Sequence, residues 1–313
     1  MAFKYINPGY AELFYNTKGH ETIASMVYNP NSGVAIRGSD AYISTILPAG
    51  YFSTGFYLRI DIYVDGSPNN YGNAFSAGLT RAGYSEDTGW ISGINSNDGY
   101  IYILSGTNRL VRTNSRLKSN SLNKILFHLN ISEATAELNV NGEEATAQNL
   151  SYMTNGYYGA NSDFIIRTPY SSSCTYYVSN IIISEDEILP KEAVIALPIS
   201  ATATDMTARQ DGIYIADAVN QSLLQTPDVA ALIESYGAGS TVTGVAVVGN
   251  PAYRTGTGIT TLTSLSKTDT VITEHNSLAL SDDTIATIKD GWTISNATIA
   301  DLANMQFGWR AGE

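Results

Sequence analysis

Residues 51–66, YFSTGFYLRIDIYVDG, place Phe56, Leu58, Ile60, Ile62 and Val64 at every second position, with Tyr57, Arg59, Asp61 and Tyr63 between them. A period of two belongs to the β-strand, whose successive side chains point to opposite faces. YIYILSG (100–106) and NKILFHLN (123–130) read as further strands. ATAELNVNGEEATAQ (134–148) reads as a hairpin with Asn141-Gly142 at its tip, a pair suited to a type I′ turn. DFIIRTP (163–169) and YYVSNIIISEDEI (176–188) close the region. Gly, Asn and Pro punctuate these runs at short intervals, the pattern of an all-β sandwich.

Helical signal is nearly absent before residue 225. QTPDVAALIESYG (225–237) then predicts a short amphipathic helix over 227–236, with Thr226 as N-cap, Pro227 in the first turn and Gly237 ending it. Thr298 and Asp301 predict a capping box that opens one helical turn over 299–303. The 313 residues exceed what one core usually covers at roughly 150 residues per domain. The acidic, proline-flanked stretch EDEILPKEAVIALPIS (185–200) places a boundary near residue 195. The expected architecture is two β-sandwiches, 1–195 and 196–313, the second a jelly-roll with one short α-helix.

Composition excludes several functions. Net charge is −12, and the one basic cluster (Arg109, Arg112, Arg116, Lys118, Lys124) reads as a turn-rich, solvated loop, so nucleic acid is not an expected partner. No stretch approaches the roughly 18 apolar residues of a membrane span. Cys174 is the single cysteine, which excludes an intrachain disulfide and a cysteine-based zinc site. The start, MAFKYINPGYAELFYN, has no Sec-type signal, so synthesis in the cytoplasm is expected.

Catalytic constellations are sparse. Glu185, Asp186 and Glu187 lie at a strand end, and Glu86 and Asp87 are adjacent, so neither set reads as the spaced carboxylate pair that glycoside hydrolysis needs. His20, His128 and His275 each stand alone, without a Gly-x-Ser-x-Gly elbow. The chain is therefore expected to be non-enzymatic. Asp65, Asn69, Asn70 and Asn73 in VDGSPNNYGN, and Asn95, Asn97 and Asp98 in GINSNDGY, are candidate calcium ligands, although Asx residues also serve turns. No other cofactor is expected. The 21 tyrosines exceed what a core requires. Clusters that include Tyr84, Trp90 and Tyr100, and Tyr152, Tyr157 and Tyr158, are candidate glycan contacts, with subunit interfaces as the competing use.

NKILFHLNISEATAELNVNGEEA, with the preceding YLRIDIYVDG and the later YYVSNIIISEDEI, resembles the concanavalin A-like and laminin-G sandwich family over about residues 1–190. The second unit, through TVTGVAVVGNPAYR and GWTISNATIADLANMQFGWR, resembles the C-terminal jelly-roll module of bacteriophage and prophage tail or virion proteins. That resemblance implies a virion structural protein, released by lysis and bound to other virion proteins and to itself. Its first sandwich would meet host glycans, and its second would anchor or oligomerise through Trp292, Phe307 and Trp309. A capsid decoration protein without a ligand, and a free bacterial carbohydrate-binding or hydrolase-like protein, are the alternatives.

Overall fold

The structure, a computed structural model, describes residues 3–7, 16–18, 23–26, 33–38, 41–47, 55–68, 75–81, 90–105, 108–150, 162–168, 172–188, 194–195, 197–208, 214–249, 252–253, 258–280 and 288–313. It is all-β, with compact units at Ala2–Ile195 and Ala196–Glu313.

The first unit runs β1 (Phe3–Asn7), β2 (Asn16–Lys18), β3 (Ile23–Met26), β4 (Gly33–Gly38), β5 (Ala41–Leu47), β6 (Gly55–Asp65), β7 (Phe75–Arg81) and β8 (Trp90–Asn97). It continues with β9 (Tyr100–Ser105), β10 (Asn108–Arg116), β11 (Ser121–Asn130), β12 (Thr135–Val140), β13 (Glu143–Ala147), β14 (Ser162–Thr168) and β15 (Ser172–Ser184). One sheet has the order β13-β12-β11-β6-β15-β4-β3, with β1 also on β15; the other has β10-β9-β8-β7-β14-β5-β2. Phe56, Leu58, Ile60, Ile62 and Val64 are fully buried, and pack with Phe75, Ile94, Ile101 and Phe164 of the facing sheet. Each such side chain contributes about 1.5–3 kcal/mol through its removal from water. Asn141 and Gly142 both take positive φ between β12 and β13, as a type I′ turn requires.

The alternation in β6 hides one fact. Arg59 and Asp61, on the face opposite the core, are also buried, at 3% and 2% exposure. Asn180 Nδ2 donates to Asp61 Oδ2 at 3.0 Å, and Asn180 Oδ1 accepts from the Val194 backbone N at 2.6 Å. The end of the unit is thereby tied to the middle of its sheet. Asn180 has φ 50° where the β15–β6 register shifts, a left-handed conformation that Asn tolerates.

The second unit runs β16 (Ile199–Thr204), β17 (Thr207–Ala208), β18 (Tyr214–Ala216), β19 (Ser222–Pro227), α1 (Ala230–Tyr236), β20 (Thr241–Gly249), β21 (Ala252–Tyr253), β22 (Thr261–Thr268), β23 (Val271–Ala279), β24 (Ile288–Thr298), α2 (Ile299–Leu302) and β25 (Met305–Gly312). The main sheet has the order β16-β19-β25-β22-β23, beside a three-stranded sheet β17-β18-β21 and the pair β20-β24. Two apolar clusters fill it, one around Leu223, Leu262 and Trp309, the other around Val229, Ile299 and Leu302. Gly308 stands where β19 crowds β25: a Cβ there would lie 1.8 Å from the Leu223 carbonyl oxygen.

The helices differ in their fit to expectation. The capping box is present as read: Thr298 Oγ1 accepts from Asp301 N, and the Asp301 carboxylate accepts from Thr298 N. α1, however, begins only at Ala230, with Val229 at the N-cap and no side-chain cap. Thr226 and Pro227 belong instead to β19, where they pair with Ala201 and Ile199 of β16, so sheet pairing overrides the local N-cap signal. Asp228 Oδ1 still accepts from Ala230 N at 3.0 Å.

Candidate functional site

Two half-buried tyrosines lie on the outer face where β8, β9 and β10 end the second sheet of the first unit. Asp98 and Gly99, with φ 55° and 80°, close the β8–β9 hairpin. In β9, Ile101 and Ile103 enter the core while Tyr100 and Tyr102 stay half-buried on the opposite face. β10 is the edge strand, with Arg109, Arg112 and Arg116 exposed.

Three cations at spacings of three and four would not share one face of a regular strand, because a step of three reverses direction. The β9–β10 register removes the conflict. Arg109 pairs with Leu104, Arg112 with Tyr102 and Arg116 with Tyr100, with a shift in each interval. Three residues of β10 thus span two of β9, and then four span two. Such bulges re-aim side chains. The Arg112 guanidinium carbon lies 3.9 Å from the Tyr100 ring centroid, that of Arg116 lies 4.5 Å from the same centroid, and that of Arg109 lies 5.7 Å from the Tyr102 centroid.

Polar contacts hold the cluster from below. Arg109 Nε donates to Asn95 Oδ1 at 2.9 Å, and Asn95 Nδ2 donates to Ser76 Oγ at 2.7 Å. Glu143, on β13, accepts from the Asn114 backbone N at 2.8 Å and from the Ser115 hydroxyl. The Ser115 hydrogen bond is the first reason that the Glu143 carboxyl is held below its ordinary range. Among the described residues, no carboxylate pairs with Arg109, Arg112 or Arg116.

The Tyr100 phenol is held below its ordinary range, chiefly by the hydrogen bond from Arg116, then by the charges of Arg116 and Arg112, with desolvation acting the other way. A cation beside a phenol favours the phenolate. Absorbance titration, with Tyr100→Phe as the difference reference, should find one tyrosine ionising at lower pH than the rest. Arg116→Ala should return it upward. A Tyr100 that titrates with the other tyrosines would contradict this geometry.

The structure separates the remaining candidates. Tyr84, Tyr152, Tyr157 and Tyr158 lie outside the described residues, as do Glu86 and Asp87. Trp90 opens β8, and its side chain also lies outside them. Of the first calcium set, Asp65 is exposed at the end of β6, and Asn69, Asn70 and Asn73 lie outside. In the second set, Asn95 is engaged with Arg109 and Ser76, Asp98 is in the hairpin turn, and the side chain of Asn97 lies outside the described residues. Among the described residues, no group of three or more His, Cys, Asp or Glu is placed to hold a metal. His128 stacks on Tyr57 with centroids 4.0 Å apart and meets Glu137 at 3.3 Å. In the second unit, Trp309 is buried, Trp292 and Phe307 are partly buried against the same cluster, and His275 stacks on Trp292 at 3.7 Å.

The basic cluster was the signal that sequence reading misplaced. Expected as a solvated, turn-rich loop, its first part is strand β10, laid against two tyrosines. The bulges removed the alternation that would have marked a strand.

No family model and no curated protein matches the chain. Solved structures match parts of the chain. Sialidase from Trypanosoma rangeli, solved with 2,3-difluorosialic acid, matches at 15% identity and TM-score 0.39 over 53% of this chain and 27% of that one. Lectin II from Ulex europaeus matches at 7% identity and TM-score 0.38, covering 49% of this chain and 86% of the lectin. The GH131 β-glucanase catalytic domain from Podospora anserina matches at 12% identity and TM-score 0.38, covering 56% and 85%. The chain spans only 15% of another matched sialidase. These neighbours are lectin-like β-sandwich folds. None of these neighbours is a virion protein. The expectation of a non-enzymatic chain is withdrawn on this finding, because enzymes stand among the structural neighbours. Likeness at such identities and TM-scores assigns neither substrate nor catalytic residue.

Proposed function

We propose that the chain is a carbohydrate-binding β-sandwich protein whose first unit meets glycan on the outer face of β9 and β10. One observation carries the reading: Tyr100 and Tyr102 lie on the face away from the core, Tyr100 with two guanidinium groups over its ring and Tyr102 with one. A sugar offers an apolar C–H face that packs on an aromatic ring, and hydroxyls that accept hydrogen bonds from fixed donors beside it. A lectin and a β-glucanase among the structural neighbours are in keeping with a carbohydrate ligand, and the aromatic–arginine face supplies the chemistry. The virion setting suggested by sequence resemblance has no structural observation behind it and is not carried into this reading.

The test uses the full chain on a panel of immobilised neutral and acidic polysaccharides. Wild type should be retained on at least one, and Tyr102→Ala, with an unchanged circular dichroism spectrum, should bind it about tenfold more weakly. A chain retained on no member of the panel would refute the proposal, as would a Tyr102→Ala variant that binds like wild type.

A further inference from the structure

We propose that the strip formed by Arg109, Arg112 and Arg116 over Tyr100 and Tyr102 selects anionic glycans, gripping a sugar-borne oxyanion, either carboxylate or sulfate. This rests on the carbohydrate-binding reading and names the ligand class of the same face.

Three observations converge. First, the arginines are exposed and, among the described residues, pair with no carboxylate, in a chain of net charge −12. An acidic protein with 29 Asp and Glu has ample partners for surface cations, yet Glu143 gives its oxygens to Asn114 and Ser115 instead. Second, two guanidinium groups share the Tyr100 ring at 3.9 and 4.5 Å. Two like charges gathered on one ring repel, and an anion between or beside them relieves that repulsion. Third, both are brought there by register shifts in the β9–β10 pairing. Charges that merely guard an edge strand against stray pairing need no such placement.

The geometry also suits the ligand. A guanidinium carries five N–H donors, so each arginine keeps donors beyond those used on Tyr100 or Asn95, and such a fork matches the two oxygens of a carboxylate or sulfate. Arg109 is fixed by its bond to Asn95, so part of its ordering cost is met before binding. A sugar ring on Tyr102 with its acid group toward Arg112 would use both halves of the face, since these two residues are paired in register. Nucleic acid is disfavoured, because its backbone demands a wide basic footprint and the rest of this chain is acidic.

Four immobilised polymers test the proposal with the full chain: polygalacturonate for carboxylate, dextran sulfate for sulfate, neutral dextran, and single-stranded DNA. The expected result is retention on polygalacturonate, dextran sulfate or both, release as NaCl rises from about 0.05 to about 0.5 M, and no retention on dextran or DNA. The first two arms separate carboxylate from sulfate. Arg112→Ala/Arg116→Ala should lose about tenfold or more in affinity, and Arg112→Lys/Arg116→Lys should recover only part of it. The salt titration of wild type stands even if the alanine pair misfolds. Equal retention on DNA would overturn the proposal in favour of plain polyanion adsorption. Retention on a neutral glycan that ignores salt and the arginine changes would overturn it while leaving the carbohydrate-binding reading intact. No retention on any glycan, here or on the wider panel, would remove both.

Discussion

Asp61→Ala should destabilise the first unit by about 3–5 kcal/mol, the usual cost of removing one partner from a buried ion pair. Asp61 is 2% exposed, lies 3.5 Å from Arg59 Nη2 and accepts from Asn180. The variant keeps a buried guanidinium and takes away the Asp61 carboxylate beside it. It also releases Asn180, which holds the Val194 backbone. Pair removal must be distinguished from pair deletion, because replacing both charges with apolar groups of similar volume is often neutral. Arg59→Met/Asp61→Leu should therefore recover most of the loss. Urea unfolding followed by hydrogen exchange over 55–65 reads both variants. A loss below about 1 kcal/mol for Asp61→Ala would mean that water reaches the pair and that its burial is overstated.

Trp309→Ala should cost the second unit about 3–5 kcal/mol, the range for truncating a buried tryptophan. Trp309 is 6% exposed and sits in register between Leu223 of β19 and Ser264 of β22, so its ring fills the centre of the main sheet's inner face. Its Nε1 is buried and makes no hydrogen bond among the described residues. That detail decides the ranking of substitutions. Trp309→Phe loses some volume but also removes an unsatisfied donor, and should cost only roughly 1–2 kcal/mol. Hydrogen exchange over 305–312 should collapse for Trp309→Ala while the 55–65 strand keeps its protection. If Trp309→Phe proves as damaging as Trp309→Ala, the indole N–H has a partner and the packing account of this core is wrong.

Much of the fold was legible where alternation was clean. β6 shows five inward residues in register, Asn141-Gly142 closes its hairpin, and Thr298 with Asp301 caps α2. Local signals failed where pairing partners overruled them. Thr226-Pro227 has good N-cap chemistry, yet β19 keeps both because β16 lies alongside, Ala201 opposite Thr226 and Ile199 opposite Pro227. The burial of Arg59 and Asp61 was illegible for a related reason: alternation reveals two faces of a strand, not whether both are covered. Of the candidate site, Tyr100 was visible as an aromatic outside the core pattern. Its arginine neighbours were not, because the bulges in β10 break the period that would have placed them opposite β9. Register is a property of two strands, and one strand's sequence states it only when regular.

Hydrogen–deuterium exchange of the full chain, free and with saturating oligogalacturonate or, in a second arm, saturating short dextran sulfate, tests the central claim most directly. The account predicts added protection confined to 93–116, the segment that carries Asn95, Tyr100, Tyr102 and the three arginines, with none over 261–312. Protection centred on another part of the first unit, on the second unit, or nowhere would contradict it.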